Sequence, residues 1–251
     1  MSTVARPQRT LGVGNSGAAT RDRMADGTLA TTNVINGECM AKQSVATMAP
    51  TRLQRVETRR GDFQLALIAA SAGGIPALQA FLAKLPSDFP IAVAIVLHRT
   101  ETRTSILPGI LGKDCKLPIK VAEEGDVLRP GTVFLAPARQ HLVVRANQTF
   151  HLMDGNKIKY LHSSANPMFE SAAYALDGRV VAVVLTGSGT DGTNGVQTVK
   201  GMGGVVFVQD PASSAYASMP LSAIGTGAVD RVLPLEEIPA ALMELVGKRR
   251  S

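Results

Sequence analysis

Three uninterrupted apolar runs, LALIAA (65–70), IAVAIVL (91–97) and VVAVVL (180–185), constrain this chain more than any other feature. A strand with one face in water alternates apolar and polar residues. A run without polar interruption suits a strand covered on both faces, as in a parallel sheet flanked by helices. Between such runs lie segments of helical period, for example Ile75, Leu78, Leu82 and Leu85 at i, i+3, i+7 and i+10. The pattern predicts strands over 65–70, 91–97, 118–121, 131–136, 180–186, 205–209 and 228–232. Helices are predicted near 75–85, 103–112, 166–177, 192–202, 217–225 and 235–247. One stretch breaks the alternation: HLVVRANQTFHLM, 141–153, reads as two short strands about Ala146-Asn147, most simply a hairpin on the sheet edge. The expected fold is α/β, a doubly wound, mostly parallel sheet with helices on both faces and an edge β-hairpin.

Charge divides the chain. Residues 1–60 hold nine Lys/Arg against four Asp/Glu, whereas residues 61–251 hold seventeen against sixteen, so the overall net charge of +6 belongs mostly to the first sixty residues. That segment is rich in Ala, Thr, Gly, Asn and Arg, shows no apolar period and contains further methionines at Met24, Met40 and Met48. It is expected to be a disordered basic tail, because it cannot offset the entropy of ordering. The nearly neutral body, 61–251, carries no Lys/Arg stripe and little aromatic interleaving, so no nucleic-acid partner is expected. Cys39 and Cys115 are isolated, without CxxC or Cys/His spacing, which excludes a disulfide framework or zinc finger and suits a reducing cytoplasm. No stretch reaches the roughly 18 apolar residues of a membrane helix, and no secretory signal stands at the N-terminus.

Each apolar run ends in a turn that carries one reactive group, and in a parallel sheet the carboxyl ends of the strands share an edge, where such groups converge. Ser71 follows the first run in ALIAASAGGIPAL, where Gly73 and Gly74 allow a tight bend and Pro76 suits the first helical turn. The turn is like a nucleophile elbow, with backbone N–H groups free to face a carbonyl oxygen; the competing reading makes Ser71 a helix N-cap. His98 ends the second run, at the rim of the sheet. Imidazole is the side chain that exchanges protons near neutral pH. His141 and His151 fall in the hairpin and His162 in a polar loop, away from the strand ends, so position favours His98. Asp191 lies in the third turn, VVAVVLTGSGTDGTNG, and completes a nucleophile, base and orienting carboxylate.

The same turn supports a rival. Gly187, Gly189 and Gly192 spell GxGxxG between a strand and a helix, and Asp210 ends the next strand 18 residues beyond Gly192, the fingerprint of a dinucleotide-binding oxidoreductase. Against it stands Asp191, whose charge occupies the place of a pyrophosphate. Two like charges ~4 Å apart at an effective dielectric of ~20 cost on the order of 4 kcal/mol. A carboxylate there, stabilised by helix N–H groups, instead stays ionised and holds an imidazole in one tautomer. A non-catalytic signalling module of the same fold is the third alternative.

Taken together, AASAGG, the strand ending in His98, EEGDVLRPGTVFLAP and LTGSGTDG resemble the catalytic domain of the CheB-type chemotaxis protein-glutamate methylesterases, over about Leu65 to Val246. The resemblance implies a serine hydrolase that releases methanol from glutamyl methyl esters on the cytoplasmic helices of chemoreceptors or on another methylated protein. For some members it also implies deamidation of particular glutamines. It makes Ser71 the nucleophile, His98 the general base and then acid, and Asp191 the orienting carboxylate. Backbone N–H groups of Ala72, Gly73, Gly187, Ser188 and Gly189 become the oxyanion donors, with Asn166 on the substrate rim. Apart from the resemblance, Arg99 and Arg103 lie close to His98 in sequence and are read either as a substrate rim that draws an acidic segment or as an ordinary solvated rim. No cofactor or metal is expected.

The chain departs from the family pattern at four places that bear on substrate choice. Ala72 stands where Thr is common and Ser188 where Met is common. Leu97 and Arg99 flank the histidine in place of Gln and Met, and HSSANPMFES, with Asn166 at an acidic position, replaces an Arg-Pro-Ser segment. Sixty residues before the body are too few for the family's receiver domain, so phosphorylation control within the chain is not expected, and the cleft is either constitutively open or covered by a separate regulatory protein.

Overall fold

The computed structural model describes residues 62–98, 106–154 and 163–247. In chain order the elements are β1 (Leu65–Ala70), α1 (Gly74–Leu82), β2 (Ala92–Leu97), α2 (Leu107–Leu111), β3 (Ile119–Val121), β4 (Val133–Leu135), β5 (Gln140–Val144), β6 (Phe150–Asp154), α3 (Ala165–Ala175), β7 (Val180–Val184), α4 (Thr193–Gly201), β8 (Val205–Gln209), α5 (Ser218–Ile224), β9 (Arg231–Leu233) and α6 (Ile238–Val246). Seven strands form one sheet in the order β3-β4-β2-β1-β7-β8-β9, parallel at every pairing. The three apolar runs are its central strands: β1 pairs with β2 through Leu65↔Ala92 to Ala70↔Leu97, and with β7 through Leu65↔Val180 to Ala69↔Val184.

Alternation along these strands builds two cores. Ala66, Ile68 and Ala70, with Val93, Ile95, Val181 and Val183, face a layer made by Leu78, Phe81 and Leu82 of α1, Leu107 and Leu111 of α2, and Ile238 and Leu242 of α6. Leu65, Leu67 and Ala69, with Ala94, Val96, Ala182 and Val184, face Met168, Phe169 and Ala172 of α3, Val196 and Val199 of α4, and Met219 of α5. Burying a Val, Leu or Ile side chain contributes about 1.5–3 kcal/mol relative to exposure. A one-residue slip would exchange the two sets, so two-sided burial pins the register.

The hairpin corrects the expectation drawn from sequence. β5 and β6 pair antiparallel, Leu142↔Leu152 and Val144↔Phe150, but form a two-stranded sheet of their own and do not extend the seven-stranded one. Leu142, Val144 and Phe150 are buried in the core beneath α3, and the Phe150 ring lies 4.9 Å from that of Phe134. Two short strands about a turn predict their own pairing without specifying what covers them. The connection also spans more than Ala146-Asn147: Gln148 takes a left-handed conformation (φ 62) and Arg145 N donates to Thr149 O over 2.9 Å.

The chain leaves β1 toward β2 on one side and returns to β7 on the other. Winding therefore reverses between β1 and β7, and the loops after β1, β2 and β7 open a crevice at the carboxyl edge. Among the described residues no helix is long and apolar enough to cross a membrane.

Candidate active site

The turn after β1 is held from both ends. Ser71 N donates to Thr186 O over 3.0 Å, and Gly74 N donates to Ser71 O over 2.8 Å. The N-cap of α1 is Gly73, in the left-handed region (φ 72), where a Cβ would lie 2.9 Å from that of Ala215. Ser71 therefore does not occupy the cap, and no side chain makes a capping bond there. Gly187 packs against the same turn: a Cβ on it would lie 2.8 Å from Ser71 Cβ and 2.2 Å from Met219 Sδ.

His98 directly follows β2, its backbone N–H donating to Ala70 O over 3.0 Å. Its Nε2 lies 2.6 Å from Asp191 Oδ2, with the two side chains 8% and 5% exposed. Asp191 also accepts from Ser164 Oγ at 2.5 Å, from Ala165 N at 2.6 Å and from Asn166 Nδ2 at 3.1 Å. Burial pushes the Asp191 carboxyl up, but His98, the Ala165 N–H and the Ser164 hydroxyl together outweigh it and hold the group below the ordinary aspartate range. The stabilising helix terminus is thus that of α3, capped by Ser164, and not that of α4, the helix following Asp191 in sequence. Gly192 (φ 88) turns the backbone between Asp191 and α4.

A cavity of about 400 Å³ is lined by Ser71, His98, Asn166, Glu170, Ser188 and Asp191, among others. Ser71 and His98 share it, although no hydrogen bond joins their side chains among the described residues. The expected oxyanion donors separate into two groups. Gly187 N donates to Tyr216 O over 2.9 Å and Gly189 N to Ser218 Oγ over 2.8 Å, so both N–H groups are engaged within the protein and are corrected as donors. The N–H groups of Ala72, Gly73 and Ser188 have no acceptor among the described residues. Asn166 does more than edge the cavity: its Oδ1 accepts from Gly195 N over 2.8 Å while its amide holds Asp191, linking α3 to α4. Arg99, Arg103 and His162 lie outside the described residues.

Of the other histidines, His141 is buried on β5 and its Nδ1 accepts from Ser164 N over 3.0 Å, while His151 Nδ1 lies 2.8 Å from Glu124 Oε2. Asp210, the ribose carboxylate of the dinucleotide reading, accepts from Ala212 N over 3.0 Å and caps the 3-10 turn Pro211–Ser213. Asp191 is committed to His98, and the dinucleotide reading is not favoured. Among the described residues no three His, Cys, Asp or Glu side chains cluster to hold a metal ion. Ser164, Glu170 and Thr186 are site residues that sequence reasoning missed. Only Ser164 carried a signal, as a serine two residues before a predicted helix.

Fold and crevice define a doubly wound α/β domain with its site at the switch point between β1 and β7. The chain belongs to the CheB methylesterase family, whose profile matches residues 66–242. It is 38% identical over 240 residues, 96% of this chain and 67% of the relative, to a protein of Anaeromyxobacter dehalogenans named protein-glutamate methylesterase/protein-glutamine glutaminase 2. It is 39% identical over 181 residues to the protein-glutamate methylesterase/protein-glutamine glutaminase of group 3 operon of Rhizobium meliloti, spanning 72% of this chain and 51% of that one. The crystal structure of the Thermotoga maritima CheB methylesterase catalytic domain superposes with a TM-score of 0.71 at 34% identity, covering 73% of this chain and 99% of that one.

Proposed function

We propose that this protein is a serine esterase that removes methyl groups from glutamyl methyl esters on the cytoplasmic helices of chemoreceptors, and that it deamidates glutamines presented in the same way. The observation that carries the reading is the buried 2.6 Å His98–Asp191 pair in the cavity that Ser71 also lines, in a chain of the CheB methylesterase family. The catalytic unit is residues 61–251, preceded by a basic tail.

In the proposed mechanism the Ser71 hydroxyl attacks the ester carbonyl while His98 takes its proton. Because Nε2 faces Asp191, Nδ1 is the nitrogen that receives the proton. Asp191 stays ionised, fixes the tautomer and stabilises the imidazolium. The carbonyl oxygen becomes an oxyanion, met by N–H groups among those of Ala72, Gly73 and Ser188. Collapse breaks the C–O bond, and methanol leaves with the proton from His98. Water then attacks the acyl-serine with His98 again as base, freeing the glutamate and restoring Ser71. With a glutamine the same steps release ammonia in place of methanol. Asn166, Arg99 and Arg103 are assigned to the substrate rim, where the arginines would draw an acidic segment.

A serine-directed phosphonate tests the reading: it should label Ser71 and no other residue, and Ser71→Ala should abolish methyl-ester turnover while leaving the thermal midpoint nearly unchanged. A Ser71→Ala protein with wild-type esterase activity would end the assignment.

A further inference from the structure

We infer that Thr186 is a positioning residue that aims the oxyanion-binding amides of the Ser71 turn. The inference rests on Ser71 as nucleophile and goes beyond that role. Thr186 follows β7 and is 1% exposed. Its backbone carbonyl accepts from Ser71 N at 3.0 Å, and its Oγ1 donates to Ala72 O at 3.1 Å, so one residue of a neighbouring strand end holds the groups on both sides of the nucleophile.

The direction of the hydroxyl is itself fixed. Oγ1 accepts from Tyr216 N at 2.9 Å, which leaves its single proton for the carbonyl side, where Ala72 O at 3.1 Å is nearer than Tyr216 O at 3.3 Å. Thr186 N donates to Gln209 Oε1 at 2.9 Å, and Gln209 Nε2 donates to Ser213 O at 2.9 Å. Gln209 is also 1% exposed. Such a buried, fully partnered network has little freedom to reorient.

The link to the oxyanion follows from peptide geometry. A trans peptide is planar, with its C=O and N–H pointing in opposite directions. Holding Ala72 O therefore fixes where the Gly73 N–H points. In the same way the bond from Gly74 N to Ser71 O, 2.8 Å, fixes the Ala72 N–H. Both amides lack an acceptor among the described residues, and both belong to peptide planes whose carbonyls are pinned. Preorganisation of this kind is what gives an oxyanion site its effect, since donors that need not reorient during the reaction cost no reorganisation.

The test compares Thr186→Val and Thr186→Ala, which lack the hydroxyl, with Thr186→Ser, which keeps it, using methyl-ester turnover normalised to phosphonate-titrated sites. Losing a whole oxyanion donor costs about 10²–10³ in kcat, so mis-aiming the amides is expected to cost about 10–100-fold in kcat with KM unchanged. A boronic acid that forms a tetrahedral adduct on Ser71 should bind more weakly by a similar factor, and Thr186→Ser should behave as wild type. Wild-type kcat in the hydroxyl-free variants, equal loss in Thr186→Ser, or loss of kcat with unchanged boronate affinity would each overturn the inference. Full turnover by Ser71→Ala, in contrast, would overturn the nucleophile reading on which it stands.

Discussion

Two carboxyl groups face the cavity, and their surroundings push them in opposite directions. Burial first and the Asp191 charge second raise the Glu170 carboxyl above its ordinary range. A carboxyl that holds its proton more tightly in the folded state favours folding below the unfolded pKa, and that contribution is lost as pH rises through the folded pKa. Glu170→Gln should therefore melt higher than wild type at neutral pH, and the gap should close on acidification; thermal melts across pH check this. Asp191 has the opposite sign, because its lowered carboxyl stabilises the fold above the unfolded pKa and loses that contribution as pH falls through the folded one. Asp191→Asn is expected to cost on the order of 10⁴ in kcat, read from steady-state rates, by spoiling the tautomer His98 needs. Ser71, His98 and Asp191 could be singled out in sequence because each lies at or in the turn that follows an apolar run, and all three line the same cavity. Thr186 carried no signal and Ser164 only that of a helix cap, since their partners Ala72 and Asp191 lie 114 and 27 residues away and no local spacing records such bonds.

At the scale of elements, α3 connects the hairpin to the site. His141 on β5 holds the Ser164 N–H, and Ser164, Ala165 and Asn166 at the start of α3 hold Asp191. The hairpin in turn is anchored by Phe150, fully buried against Phe134. Phe150→Ala should cost about 3–5 kcal/mol of stability by urea denaturation, together with a drop in esterase activity in the fraction that stays folded, as α3 loosens its grip on Asp191. Unchanged activity per folded molecule would show that α3 is held without the hairpin. The strands β5 and β6 were legible as two short runs about a turn, but their location was not, because such a pair satisfies its own hydrogen bonds and says nothing of the covering element. The expectation that helix N–H groups stabilise Asp191 was right in kind, and the helix proved to be one that sequence adjacency does not suggest.

Over the whole molecule, the continuous apolar runs were sufficient for the fold class, because strands covered on both faces admit few architectures other than a sheet between two helical layers. If the folded unit is 61–251, a chain lacking residues 1–60 should keep both its thermal midpoint and its methyl-ester turnover; calorimetry and rate measurements on the shortened protein decide this. Reversal of the winding beside β1 has a consequence for how the enzyme is made. Ser71 and His98 leave the ribosome early, whereas Asp191 comes 93 residues after His98, in the turn that follows β7, a strand that must pair on the far side of β1. At translation rates of about 5–20 residues per second, this interval lasts roughly 5–20 s. On the proposed roles, a half-made chain carries the nucleophile and the base without the carboxylate that orients them, so nascent and prematurely terminated products should turn over a methyl ester far more slowly than the complete protein.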